Sequence, residues 1–150
     1  MTSDNTDRAF LAEVLAHGKT DVEVTSGPLA RALGTTIVSA VPRRVRLRFA
    51  LDEGHTQGAG VIHGGTLTTA LDFGMAFSVL TELDEGMSAV SVNLNVNFMK
   101  AVLPQTVYVD AIAESVGRRI AFANARMTTE SGILVASGTS SLVVQEFRRA

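Results

Sequence analysis

Apolar and polar positions alternate with two different periods along this chain, and the change of period divides it into elements. From Arg43 to Leu51, Arg44, Arg46 and Arg48 alternate with Val45, Leu47 and Phe49, the period-two pattern of a strand with one cationic and one apolar face. Thr35 to Val41 reads as the preceding strand, separated from it by Pro42. Val61 to Leu80 keeps no such alternation. Leu67, Ala70, Leu71, Phe73, Met75, Ala76, Phe77, Val79 and Leu80 are spread around a helix that Gly64 or Gly65 opens and that ends near 82–86, as in a helix wrapped by other structure. Strands then resume. Ala89 to Met99 alternates Val90, Val92, Leu94, Val96 and Phe98 with Ser91, Asn93, Asn95 and Asn97, which predicts a half-buried strand with an amide-rich second face. Thr106 to Val116, Arg119 to Thr129 and Ile133 to Gln145 follow through turns at Gly117-Arg118 and Glu130-Ser131-Gly132, forming an antiparallel meander. Upstream, Arg8 to His17 predicts a short helix closed by Gly18, with Phe10, Leu11, Val14 and Leu15 on one face, and Gly27-Pro28 marks a loop. The expected architecture is α+β, an antiparallel sheet of five to six strands curled around one long central helix. Residues 1–150 are expected to form a single domain, with about 1–30 as an N-terminal helical extension.

Composition narrows the functional classes. At 150 residues and 46% hydrophobic content, the chain is long enough for one sizeable core. Its net charge of -2 lacks the basic excess of a nucleic-acid binder. The absence of Cys excludes disulfides and thiolate metal sites, and the three His, at 17, 55 and 63, are too scattered to suggest a metal cluster. Met1 to Asp7 is polar and acidic rather than a basic stretch followed by an apolar run, so no signal peptide is expected and the anticipated location is cytoplasmic. The run from Val61 to Leu80 has the length of a membrane span. Gly64, Gly65, His63, three Thr and a central Asp argue against that reading.

That Asp is the candidate for chemistry. Asp72 is the sole formal charge between Gly54 and Thr81, and burying a carboxylate without partners costs several kcal/mol or forces it to stay protonated. Such an isolated group is a functional candidate with a physical rationale. Nine positions before it stands His63, in Val61-Ile62-His63-Gly64-Gly65, at the expected start of the helix. No Ser or Cys nucleophile accompanies His63 at a recognisable spacing, so it does not read as a triad base. No phosphate-binding or dinucleotide fingerprint is present. The Arg run at 43–48 suits either a phosphate groove or a solvated strand face.

The order of elements, the phrase Gly60-Val61-Ile62-His63-Gly64-Gly65, Asp72 and the later Val90-Ser91-Val92-Asn93 together resemble the hotdog-fold acyl-CoA thioesterases, in the PaaI-type and 4-hydroxybenzoyl-CoA thioesterase branch. The resemblance covers roughly residues 33–144. It implies an enzyme that hydrolyses an acyl-CoA thioester without a cofactor, coenzyme A being part of the substrate. By that resemblance the Gly64 backbone N–H is the oxyanion donor, where a helix N-terminus adds its dipole and glycine leaves room for the acyl carbonyl. Asp72 would be nucleophile or general base. His63 would position the loop or contact the thioester, and Gln57, where many relatives carry Asn, would orient the carbonyl or the water. Ser91 would hydrogen-bond the carboxylate or the attacking water, or simply belong to the polar face of its strand. Gly65 beside Gly64, and Arg118 and Arg119 at their turn, are the candidate substrate and CoA contacts; the two Arg equally suit a plain exposed turn.

Gly64 and Asp72 lie eight residues apart, about 12 Å along one helix, so the resemblance implies a site shared between subunits of a homo-oligomer, at least a dimer and by family habit a tetramer. Phe73, Met75, Phe77 and Met99 suit an aryl or medium-chain acyl pocket, or plain core. Two other classes share the fold: a non-catalytic acyl-CoA-binding protein and an enoyl-CoA hydratase-like enzyme. An Asp in an apolar segment disfavours the first, and the His63-Gly64-Gly65 spacing to Asp72 disfavours the second.

Overall fold

The computed structural model describes residues 3–149. Its centre is helix α3 (Gly64–Leu80), on which Leu71, Met75, Phe77 and Val79 are fully buried. Around it curls one antiparallel sheet of seven strands: β1 (Val22–Glu23), β2 (Thr35–Val41), β3 (Arg44–Leu51), β4 (Met87–Phe98), β5 (Gln105–Val116), β6 (Ile120–Thr129) and β7 (Leu134–Glu146), in the order β1-β2-β3-β5-β6-β7-β4. The count exceeds the expected five to six because of β1, a two-residue pairing of Val22 and Glu23 on the edge of β2 that is too short for any periodicity to announce. The wrapped helix, the β5-β6-β7 meander and the alternating Arg face of β3 stand as expected: Val45, Leu47, Phe49 and Leu51 point into the core and Arg44, Arg46 and Arg48 away from it.

Close approach holds the helix in the sheet. A Cβ on Gly74 would lie 2.6 Å from Val109 Cγ1 on β5, so only glycine lets α3 settle there. Met75 and Phe77 are core rather than pocket, and Phe73 stands half-buried with its ring edge-to-face against Phe77 at 5.7 Å.

The upstream segment is α1 (Thr6–Ala16) and α2 (Pro28–Ala32), the second lying where the sequence predicts a loop. Pro28 sits at its first turn, where its missing N–H costs nothing, so the Gly27-Pro28 pair opens a helix rather than a loop. α1 packs on α3 and β2 through Leu11 and Val14. Its start is tied to the start of β4 and to the turn before it: Asn5 Nδ2 donates to Ser88 Oγ, Arg8 binds the Asp4 carboxylate, and the same carboxylate accepts the Gly86 N–H at 3.1 Å. The Gly86 carbonyl in turn accepts the N–H of Phe147, just past β7, at 2.7 Å. The half of α3 nearer its C-terminus is thereby covered, whereas a stripe through Gly65, Thr68, Thr69, Asp72, Phe73 and Ala76 stays partly or wholly open.

Strand β4 differs from its expected pattern. It is an edge strand, and its large apolar residues are exposed, Val90 at 48%, Val92 at 60% and Phe98 at 52%. Its register on β7 slips: Ser91 faces Leu142 and Asn93 faces Ser141, leaving Val92 as an unpaired bulge. Directly opposed residues share a face, so Ser91 lies on the inner face with Leu142, while Asn93, Asn95 and Asn97 lie on the outer face with Ser141, Thr139 and Ser137. A strict period-two reading puts Ser91 with the Asn residues. The extra residue reverses that.

Candidate active site

The loop before α3 is braced throughout. Asp52 N–H donates to His55 Nδ1, the other ring nitrogen of His55 contacts Ala32 O at 3.1 Å, and His63 N–H donates to the His55 carbonyl. His55 is thus a loop brace rather than a free substrate contact. Gln57 N–H donates to the Val61 carbonyl, Gly60 turns the chain at a φ of 75°, and Ile62 N–H reaches across to Val102 O.

These bonds deliver His63 to the N-cap of α3 in extended conformation, where its Nδ1 accepts the Gly65 N–H at 2.8 Å. The His63 carbonyl accepts from Thr66 and Leu67. Among the described residues, nothing accepts the Gly64 N–H. The cap therefore consumes the neighbouring donors and leaves one free amide at the positive end of a 17-residue helix.

Gly64 lines a cleft of about 290 Å³ between the loop and the end of β4, together with Gln57, Leu67, Phe98, Lys100 and Val102. The Phe98 ring lies 3.4 Å from where a Gly64 Cβ would be and so floors the cleft. Gln57 is exposed at its edge, its Oε1 accepting the Ala59 N–H and its amide nitrogen without a partner among the described residues. Phe98 and Lys100 are lining residues that the sequence pattern does not single out. The strand alternation hides Phe98 as core, and a single lysine carries no pattern.

Asp72 sits two turns along α3, half-buried rather than enclosed, because it falls on the open stripe. Ser91 Oγ donates to its Oδ1 at 2.7 Å, and among the described residues no cation pairs with it. Among the same residues nothing donates to Oδ2, which leaves that oxygen to a reacting group or water. Gly64 with Gln57 and Gly65 forms one cluster and Asp72 with Ser91 a second, on the same helix about 12 Å apart by rise.

Arg118 and Arg119 are exposed on the β5-β6 turn. Arg118 flanks a groove of about 520 Å³ with Glu82, Asp84 and Met87, beyond the C-terminal end of α3. Within one chain they are therefore at the opposite end of the helix from Gly64. No three His, Asp or Glu among the described residues are placed to hold a metal ion, and no helix among them is long and apolar enough to cross a membrane.

A free amide at a helix N-terminus, an amide side chain beside it and a hydrogen-bonded carboxylate facing an open stripe are the parts of an acyl-transfer site. Comparison with known proteins points the same way. The thioesterase superfamily model matches residues 59–136. Human acyl-coenzyme A thioesterase 13 is 32% identical over 111 residues, covering 72% of this chain and 79% of that protein, and the mouse protein of the same name is 30% identical over 105 residues, covering 69% and 74%. Among solved structures, zebrafish thioesterase superfamily member 2 superposes with a TM-score of 0.71 at 28% identity, covering 78% of this chain and 87% of that one. A phenylacetic acid degradation-related protein of Ralstonia eutropha gives a TM-score of 0.77 at 22% identity, with 93% and 99% covered, which speaks for the fold.

Proposed function

The chain belongs to the thioesterase superfamily and is a thioester hydrolase, and from that premise we propose that it cleaves an acyl-CoA to the free acid and coenzyme A at the Gly64 and Asp72 clusters. The observation that carries this reading is the amide left unclaimed in the first turn of α3: His63 takes the Gly65, Thr66 and Leu67 N–H groups, so that among the described residues of that turn the Gly64 N–H remains to receive the negative charge developing on the thioester oxygen. Gln57 holds the carbonyl or the water beside it. Asp72, steadied by Ser91, either attacks the thioester carbon, expelling the CoA thiolate and leaving a mixed anhydride that water hydrolyses to the acid, or takes a proton from the water that attacks that carbon and displaces the thiolate. No cofactor is required by either route.

The separation along α3 supports a reaction centre whose two clusters come from different subunits. The free edge of β4 supports this. The strand carries no charge and no proline over twelve residues, so it lacks the usual guards against edge pairing, and its exposed Val92 and Leu94 ask for cover. A second copy seated on that edge would bring its own α3 stripe toward the first. A dimer is thus the least assembly that completes the site, with a tetramer formed by pairing dimers. Arg118 and Arg119 would then take CoA phosphates from the subunit opposite. The acyl group is aryl or medium-chain, lying along the apolar cleft by Phe98 and Leu67.

The test is release of free thiol from phenylacetyl-, hydroxybenzoyl- and straight-chain acyl-CoA esters by wild type and Asp72→Asn. Loss of about two to four orders of magnitude in kcat on the preferred ester, with unfolding temperature and ester binding retained, is the expected result. Turnover by Asp72→Asn near the wild-type rate would remove Asp72 from the mechanism.

A further inference from the structure

Ser140 is a buried hydroxyl, 3% exposed, on the inner face of β7 between Gly138 and Leu142. A hydroxyl on an apolar face is costly unless it is bonded. Its Oγ donates to the backbone carbonyl of Asn93 on the adjacent strand at 2.9 Å, with a longer contact of 3.4 Å to Ser141 O. Asn93 is the residue at which pairing resumes after the Val92 bulge. The bond therefore crosses from β7 to the point where β4 has changed faces.

The change of faces has one consequence at the site. Upstream of the bulge Ser91 points inward and reaches Asp72 Oδ1 at 2.7 Å; without the extra residue it would share the outer face with Asn93, Asn95 and Asn97. Within one chain β4 pairs only with β7, so no second strand of the same chain resists the bulge sliding along the ladder. We propose that Ser140 is a positioning residue: by fastening the Asn93 carbonyl it pins the Val92 bulge, and through the bulge it aims Ser91 at Asp72. The proposal rests on the assignment of Asp72 and Ser91 made above. Ser140 itself touches no substrate.

A thermodynamic cycle in kcat distinguishes this from simple packing. Ser91→Ala is expected to lower kcat by about tenfold, the size of one lost hydrogen bond to a charged group. Ser140→Ala should approach the same loss with KM little changed, and Ser140→Thr, which keeps the hydroxyl, should recover most of it. In the double variant Ser91→Ala/Ser140→Ala, the second substitution should cost no further turnover, because there is no longer a hydroxyl to aim. If the two losses multiply, or if Ser140→Ala turns over like wild type, the proposal falls. If Ser91→Ala turns over like wild type, the reading of the site falls and takes the proposal with it. Should Ser140→Ala fail to fold, Ser140→Cys, close in volume and a weak donor, replaces it in the cycle: losses that do not multiply support the pinning role, and losses that multiply overturn it.

Discussion

Gly64 occupies the first helical position of α3, preceded by a residue with φ of -61° and ψ of 135°. That is the one place in a helix where proline fits, since its missing N–H has no helical partner and the preceding residue is already extended. Gly64→Pro therefore removes the proposed oxyanion donor and fills space against Phe98 that glycine leaves open, while suiting the start of the helix. It should cost about 10²- to 10³-fold in kcat with the unfolding temperature nearly unchanged, read by thiol release and thermal melting side by side. The residues on which this turns are largely legible in the sequence. Asp72 stands out by charge isolation, and His63-Gly64-Gly65 by its place before an apolar run. The capping bond of His63 is not legible there, because a histidine reads as chemistry before it reads as a cap. Ser91 is legible as a residue and illegible as a direction, since one bulged position at Val92 reverses the parity that alternation assumes.

Elements are legible in proportion to their length. The wrapped helix and the long strands announce themselves through periodicity summed over ten or more positions, whereas β1, with two residues, and α2, with five, exist by packing on β2 rather than by pattern. What periodicity omits is how closely two elements approach. Gly74→Ala places a methyl group 2.6 Å from Val109 Cγ1 and 3.2 Å from Ala111 Cβ, so α3 must lift from β5. Destabilisation of about 1–3 kcal/mol is expected by urea unfolding, with partial recovery in Gly74→Ala/Val109→Ala. The tie at the start of α1 responds instead to acid. Hydrogen bonding from Arg8 lowers the Asp4 pKa from 3.8 to about 2, against the opposing pull of burial. A carboxylate depressed in the folded state stabilises above its unfolded pKa, and that contribution drains away as pH falls from about 4 towards 2. Asp4→Asn should flatten this part of the stability curve while leaving the neutral range displaced by a constant.

For the whole molecule, the question is whether one chain suffices. Equal mixing of Asp72→Asn and Gly64→Pro chains, each inactive alone, gives hybrids in which one of two centres has both its amide and its carboxylate. About a quarter of wild-type turnover per subunit should return after subunit exchange, since half of the dimers are mixed. Verified hybrids that stay silent would place both clusters in a single subunit. Val92→Lys on the bare edge of β4 should lower the oligomeric state in light scattering and turnover together. Gly86 bears on the molecule at this scale as well. Its amide and carbonyl are gripped by Asp4 and Phe147, so two residues 143 positions apart in the chain are held by a single glycine. A few glycines would join them. A circular permutant closed there and opened at the Glu130-Ser131-Gly132 turn keeps all seven strands in register.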